Sequence, residues 1–137
     1  VVRIWSADRL RIDFGRSRGE SLLKSIASPH FVYYVLQMPE IRKTRIFTDW
    51  IANLRDRAAV AWIDVRIRRL SLGNAGDFKS VGEGVLELRV DHGPGYRVYF
   101  VRQGDLIILL LCGGDKRTQD QDIRAAKKLA KDFGHET

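Results

Sequence analysis

Three strand-length apolar runs, separated by two tight turns, fill the stretch from Val85 to Cys112 and constrain the fold of this chain more than any other feature. In Val85–Val90, Leu86, Leu88 and Val90 face one way, while Val85, Glu87 and Arg89 face the other; this is the period of two expected of a strand. Tyr96–Arg102 alternates in the same manner, with Arg97, Tyr99 and Val101 sharing a face. Leu106–Cys112 is apolar throughout, as expected for a central strand covered on both sides. Gly93-Pro94-Gly95 and Gln103-Gly104-Asp105 are turn segments, so the three runs are expected to be antiparallel neighbours.

The segments on either side read as helices. Arg45–Arg55 carries Ile46, Phe47, Trp50, Ile51 and Leu54 as a stripe, and Val60, Ile63, Ile67 and Leu70 repeat at three and four within Arg57–Leu72. Only Arg55-Asp56-Arg57 separates the two, which predicts an antiparallel helix hairpin, with Trp50 and Trp62 as packing residues. Glu40–Thr44 is short and mixed, consistent with an edge strand, and Gly73–Gly84, with glycines at 73, 76, 82 and 84, reads as a loop. Gln119–Phe133 places Ile123, Ala126, Leu129, Ala130 and Phe133 at helical spacing, with Thr118 positioned as an N-cap. The expected order is β-α-α-β-β-β-α. An N-terminal strand and helix hairpin pack on a curved antiparallel sheet, followed by a C-terminal helix, in an α+β fold.

A length of 137 residues suits one domain. Met38 is the sole methionine, and residues 1–37 lack sustained periodicity except at their apolar end, FVYYVL. The reading is a domain over 38–137 that starts at Met38, preceded by upstream sequence read in frame. The alternative is a native N-terminal arm whose FVYYVL adds a strand. Residues 1–37 contribute +3 of the net charge of +7, so the remaining hundred are only mildly basic, and an argument from charge rests on clustering. Cys112 is the sole cysteine, which allows no internal disulfide, and it reads as a small buried hydrophobe. No metal-ligand spacing is present, so neither metal nor cofactor is expected. The apolar run Leu106–Cys112 is far shorter than the roughly 20 residues of a membrane span, and no signal-peptide pattern is visible. The expectation is a cytoplasmic protein with no membrane partner.

Arg89, Arg97 and the Lys116–Arg117 pair fall at or near strand ends, beside Tyr96 and Tyr99. A sheet so decorated is an electropositive plate suited to a polyphosphate, most often RNA or DNA. The pattern GDFKSVGEGVLELRV, then GPGYRVYF, then LLLCGGDKRTQ followed by DI resembles the RelE/ParE superfamily of type II toxins, and within it the RelE/StbE-type addiction module killer proteins. The resemblance covers roughly Met38 to Phe133.

That resemblance implies a RelE-like fold and a toxin that cuts messenger RNA on the ribosome. In this chemistry the 2′-hydroxyl attacks the adjacent phosphate and no metal is needed. It also implies a cognate antitoxin, expected to be a helix-turn-helix protein. Arg97, in GYR, matches the arginine that relatives place on the scissile phosphate; a guanidinium there offers two parallel donors. Arg89, in ELR, matches the family pattern, and as a strand arginine beside Glu87 it could equally be part of a cross-strand ion pair. Lys79 matches a position close to the RNA. Lys116 and Arg117 fall where relatives place basic residues near the cut. The chain departs from the family where Val85 and Glu87 replace two lysines of the founding toxin, and it lacks the C-terminal His or Tyr of some relatives. The general base is therefore open. Glu87 is a candidate base or an orienter of Arg97, and His92 titrates in the useful range. Tyr96 could stack on a base or lie in the core. Two other functional readings stand beside the nuclease: a ParE-type inhibitor of DNA gyrase, and a decayed toxin that binds nucleic acid or antitoxin without catalysis.

Overall fold

The apolar run predicted as a central strand is the middle of a six-stranded sheet in the computed structural model, which describes residues 2–3 and 28–134. Most of residues 1–37 lies outside the described residues, and so does the expectation of a leader. In chain order the elements are β1 (Val2–Arg3), α1 (Pro29–Gln37), β2 (Glu40–Lys43), α2 (Arg45–Asn53), α3 (Arg57–Ser71), β3 (Phe78–Gly82), β4 (Val85–Val90), β5 (Tyr96–Gln103), β6 (Ile107–Asp115) and α4 (Gln119–Gly134). A 3-10 turn at Lys116–Thr118 leads into α4. The sheet order is β1-β2-β6-β5-β4-β3, so β6 lies between β2 and β5. The fold is α+β, and no helix among the described residues is long and apolar enough to cross a membrane.

The two faces of the sheet bury different sets of residues. On one, Phe47 of α2 and Ala59, Ile63, Ile67 and Leu70 of α3 meet Leu88, Val90, Val98, Phe100, Ile108 and Leu110. On the other, Ala126 of α4, flanked by Ile123, Leu129, Ala130 and Phe133, covers Val85, Tyr99, Leu109, Leu111 and Cys112. The strand alternation thus sends Leu88 and Val90 toward the helix pair and Glu87 and Arg89 toward the α4 side. Two caps fix where the helices begin. Thr44 accepts from the Phe47 N–H at 3.0 Å and donates to the Leu111 carbonyl, tying the start of α2 to β6. Asp56 accepts from the Ala59 N–H at 3.1 Å at the start of α3.

Four expectations need correction. Gly73–Gly84 is not a loop throughout: Phe78–Gly82 is an edge strand paired antiparallel to β4. It was hidden because an edge strand held by backbone pairing needs no apolar alternation, and Lys79 and Ser80 are exposed. Glu40–Lys43 is not an edge. It pairs parallel to β6 and antiparallel to Val2–Arg3, so the sheet is mixed rather than antiparallel throughout. The alternative of an added strand at FVYYVL also fails, because Pro29–Gln37 is helical. Trp62 is exposed, 53% of its surface remaining open, so it is not a packing residue, whereas Trp50 stacks between Phe47 and Tyr96.

Trp50 also explains a glycine. A Cβ at Gly113 would overlap the Trp50 ring, so β6 admits α2 only because residue 113 has no side chain. Gly113→Ala should destabilise the protein by about 1–3 kcal/mol, the usual cost of overpacking, while Gly134→Ala, where a Cβ meets no neighbour, should not. Urea unfolding of the two variants checks this; equal stability of Gly113→Ala and wild type would show that the ring moves aside freely.

Candidate functional site

Glu87 is the centre of the α4-side surface. It has no solvent exposure, although it is a carboxylate. Sheet register places it directly across from Lys79 of β3 and Tyr99 of β5, while Arg89 stands directly across from Arg97. Two arginines facing each other on adjacent strands repel. Glu87 sits two residues from Arg89 on the same strand and diagonal to Arg97, where one carboxylate can serve both.

Its contacts show how. The Tyr99 hydroxyl donates to Glu87 Oε2 at 3.0 Å, and Gln119 Nε2 donates to the same oxygen at 2.9 Å. Arg89 Nε donates to Oε1 at 3.3 Å. Arg97 Nε lies 3.4 Å from Oε1 and Lys79 Nζ 3.9 Å from it. Burial alone would raise the Glu87 pKa. The hydrogen bonds from Gln119, Tyr99 and Arg89, with the Arg97 charge, outweigh burial and hold it below the ordinary value. Tyr99 responds in the opposite sense: its pKa is pushed far up by burial and by the Glu87 charge, so it remains a neutral donor.

Three cations therefore converge on one buried anion. Asp77, 3.9 Å from Arg89, adds a second carboxylate. Arg97 is the most enclosed of the three, its side chain only 13% exposed, against 39% for Arg89 and 46% for Lys79. Its Nε is buried without a hydrogen bond. Arg66, which sequence reasoning missed, braces this edge from α3: one Nη donates to the carbonyls of Asp77 and Arg89. A Cβ at Gly76 would collide with that guanidinium, so the glycine opens its path.

The remaining sequence candidates lie elsewhere. Tyr96 points to the opposite face of the sheet from Arg97 and is only 7% exposed, packed among the α2–α3 core residues, so it has no free ring for a base. His92 turns toward the start of α3, its Nε2 3.2 Å from Asp56 Oδ2. Arg117 is held by Asp115 at 2.8 Å, a pairing that lowers the Asp115 pKa. Lys116 is exposed at the end of β6, and its N–H is bonded to the Gly95 carbonyl. Lys79, Glu87, Arg89 and Arg97 are thus brought together, and Tyr96, His92 and Arg117 are engaged by other partners. Gln119 and Tyr99, which complete the Glu87 shell, were visible only as part of the motif and of the Arg97 face.

A family model for "Phage derived protein Gp49-like (DUF891)" matches residues 49–132, which contain the whole cation cluster. The chain belongs to this Gp49-like family. It is also 50% identical over 95 residues to an uncharacterized protein of Haemophilus influenzae, an alignment covering 69% of this chain and 96% of that relative.

Membership in the Gp49-like family does not by itself say why Glu87 is buried, but the geometry yields a measurable consequence. Glu87→Gln would put an amide against three cations and two further donors. The loss should be about 3 kcal/mol, the low end for breaking a buried pair, because Lys79 and Arg89 keep some solvent. The folded-state Glu87 pKa lies below its ordinary value of 4.5. Its stabilising contribution is therefore complete above that value and is lost as pH falls through the folded pKa. Thermal denaturation as a function of pH should show this acid loss in the wild type and a flatter profile in Glu87→Gln.

Proposed function

We propose that this protein is the toxin of a type II toxin–antitoxin pair, a RelE-like endoribonuclease that cuts messenger RNA on the ribosome without a metal. The observation that carries the reading is the group of three cations, Lys79, Arg89 and Arg97, gathered around one buried carboxylate. Membership in the Gp49-like family, a RelE-like toxin family, supports a toxin and with it a cognate antitoxin. The toxin domain in this reading is residues 38–137, and its working compartment is the cytoplasm.

The roles follow from the geometry. Arg97 holds the scissile phosphate through its guanidinium, enclosed enough that water screens the contact poorly, and it stabilises the charge that builds on the phosphoryl oxygens. Arg89 and Lys79, more open, grip the flanking backbone. Glu87 orients the arginines; buried, saturated with donors and with its pKa held down, it is ill suited to accept a proton. Lys116, exposed at the end of β6, is a further cation for the message backbone. Strong charge stabilisation with modest proton transfer makes positioning by the ribosome the natural complement, since alignment of the 2′-hydroxyl with the phosphate supplies much of the rate. The antitoxin would cover this face; a helix-turn-helix protein is the expected form.

The test is induction of the wild type and of Arg97→Ala in growing cells, with primer extension on abundant messages. The wild type should arrest growth and leave cuts inside translated codons. Arg97→Ala should lose a hundredfold or more in cleavage, about 3–4 kcal/mol of transition-state stabilisation, while remaining folded. Rapid cutting of naked RNA by the purified wild type would overturn the ribosome requirement. Growth arrest with intact messages and inhibited supercoiling would assign the protein to the ParE-type gyrase inhibitors instead.

A further inference from the structure

The nuclease reading leaves the proton acceptor unassigned, because Glu87 is an anchor and His92 is turned to Asp56. Another carboxylate stands next to the cluster. Arg97 lies directly across from Gly114 of β6. The space that a Cβ would take at Gly114 is filled by the Asp122 carboxylate, with the Thr118 hydroxyl beside it. Residues directly opposed on antiparallel strands are roughly 4.5–5.5 Å apart at Cα, so the first turn of α4 lays this carboxylate over the strand position across from Arg97, on the sheet face that carries Arg97.

We propose that Asp122 is the general base of the site, taking the proton of the attacking 2′-hydroxyl while Arg97 holds the phosphate. The assignment rests on the nuclease reading above. Asp122 is partly exposed and receives one hydrogen bond, from Thr118 to Oδ2 at 2.6 Å, which leaves Oδ1 for a substrate hydroxyl. Burial raises its pKa, the Thr118 bond lowers it, and the nearby Asp115 charge raises it again; the net shift is upward. Glu87 is shifted the opposite way, and two carboxylates whose surroundings part their affinities for protons are the arrangement that divides anchor from base. The groups facing Asp122 are Thr118 and Asp115 at the entry to α4, Cys112 of β6, whose thiol lies 3.7 Å from the Asp122 carbonyl, and Tyr99 of β5. Burial, with the Asp122 charge, pushes the Cys112 thiol up to about 12, so it does not compete as a base.

In the step itself the 2′-oxygen forms a bond to phosphorus and its proton passes to Asp122 Oδ1. The bond from phosphorus to the 5′-oxygen breaks, and that oxygen takes a proton from water. The products are a 2′,3′-cyclic phosphate and a 5′-hydroxyl end.

The experiment is single-turnover cleavage of a defined message on programmed ribosomes by wild type, Asp122→Asn, Asp122→Gly and Thr118→Val. Asparagine keeps an acceptor for Thr118, so Asp122→Asn should melt and bind ribosomes like wild type yet cut at least a hundredfold more slowly, the usual range for a lost acid–base group. The fall in wild-type rate toward acid pH should vanish in its residual activity. Formate added to Asp122→Gly should restore part of the rate, which a purely structural role would not allow. Thr118→Val, which removes the hydroxyl donor to Oδ2 and keeps the carboxylate, should lose clearly less activity than Asp122→Asn. Cleavage by Asp122→Asn within threefold of wild type overturns the assignment, as does a loss in Thr118→Val equal to that in Asp122→Asn, or no response to formate. A wild type that cuts no message on the ribosome removes the nuclease reading itself, and the base with it.

Discussion

A carboxylate without solvent exposure holds together the half of the sheet that carries the cations. Burying Glu87 is costly in itself, and the cost is offset because both its oxygens receive donors: Tyr99 and Gln119 on one, Arg89 on the other, with Arg97 and Lys79 close by. The dependence runs in both directions. Without Glu87, Arg89 and Arg97 would face each other across β4 and β5 as like charges. Without the arginines, Glu87 would be an unpaired anion under α4. The cation-bearing surface is therefore also a structural element centred on Glu87.

The parts of this arrangement legible in the sequence were those with a period. The alternation put Glu87 with Arg89 on one face of Val85–Val90 and Arg97 with Tyr99 on one face of Tyr96–Arg102, and the strand register makes these the same side of the sheet. The uninterrupted apolar run marked β6 as central, because a strand covered on both sides has no polar face to show. The stripes at Phe47 and at Ile63, Ile67 and Leu70 likewise became the buried sides of α2 and α3. What failed lacked such a pattern. Phe78–Gly82 is held by backbone bonds to β4 at the sheet edge and buries little, so its residues carry no mark of strand. The parallel pairing of β2 with β6 depends on where the chain goes after Lys43, which no local periodicity records. Tyr96 was ambiguous only until its face was known: odd and even positions of β5 go to different layers, and Tyr96 goes with Val98 and Phe100 to the core.

The site contains information that neither periodicity nor motif conveys, namely which charged groups neutralise one another. Arg117 and Lys116 are adjacent and look alike in sequence, yet Arg117 is clamped by Asp115 and Lys116 stands exposed. Glu87 and Asp122 are both carboxylates under or beside α4, but the first is surrounded by donors and the second by little besides Thr118 and another acid. Those differences arise from three strands and one helix converging, so no single segment could reveal them.

Coverage of the sheet explains why Lys79 and Arg89 keep part of their surface open. The α2–α3 side is closed by apolar contacts along much of its area, whereas α4 seals its side through Ala126 and neighbours and reaches the cation region only with its first residues, Gln119 and Asp122. A helix laid fully across Arg89 and Lys79 would have to bury two more charges. Stopping short leaves them partly solvated and keeps only Glu87 fully enclosed. An ion network built for stability alone would balance its charges and satisfy its donors. Here Arg97 keeps a buried Nε without a hydrogen bond, although it lies 3.4 Å from Glu87 Oε1. That unsatisfied donor, held next to a buried carboxylate, is the feature on which the proposed anion site draws.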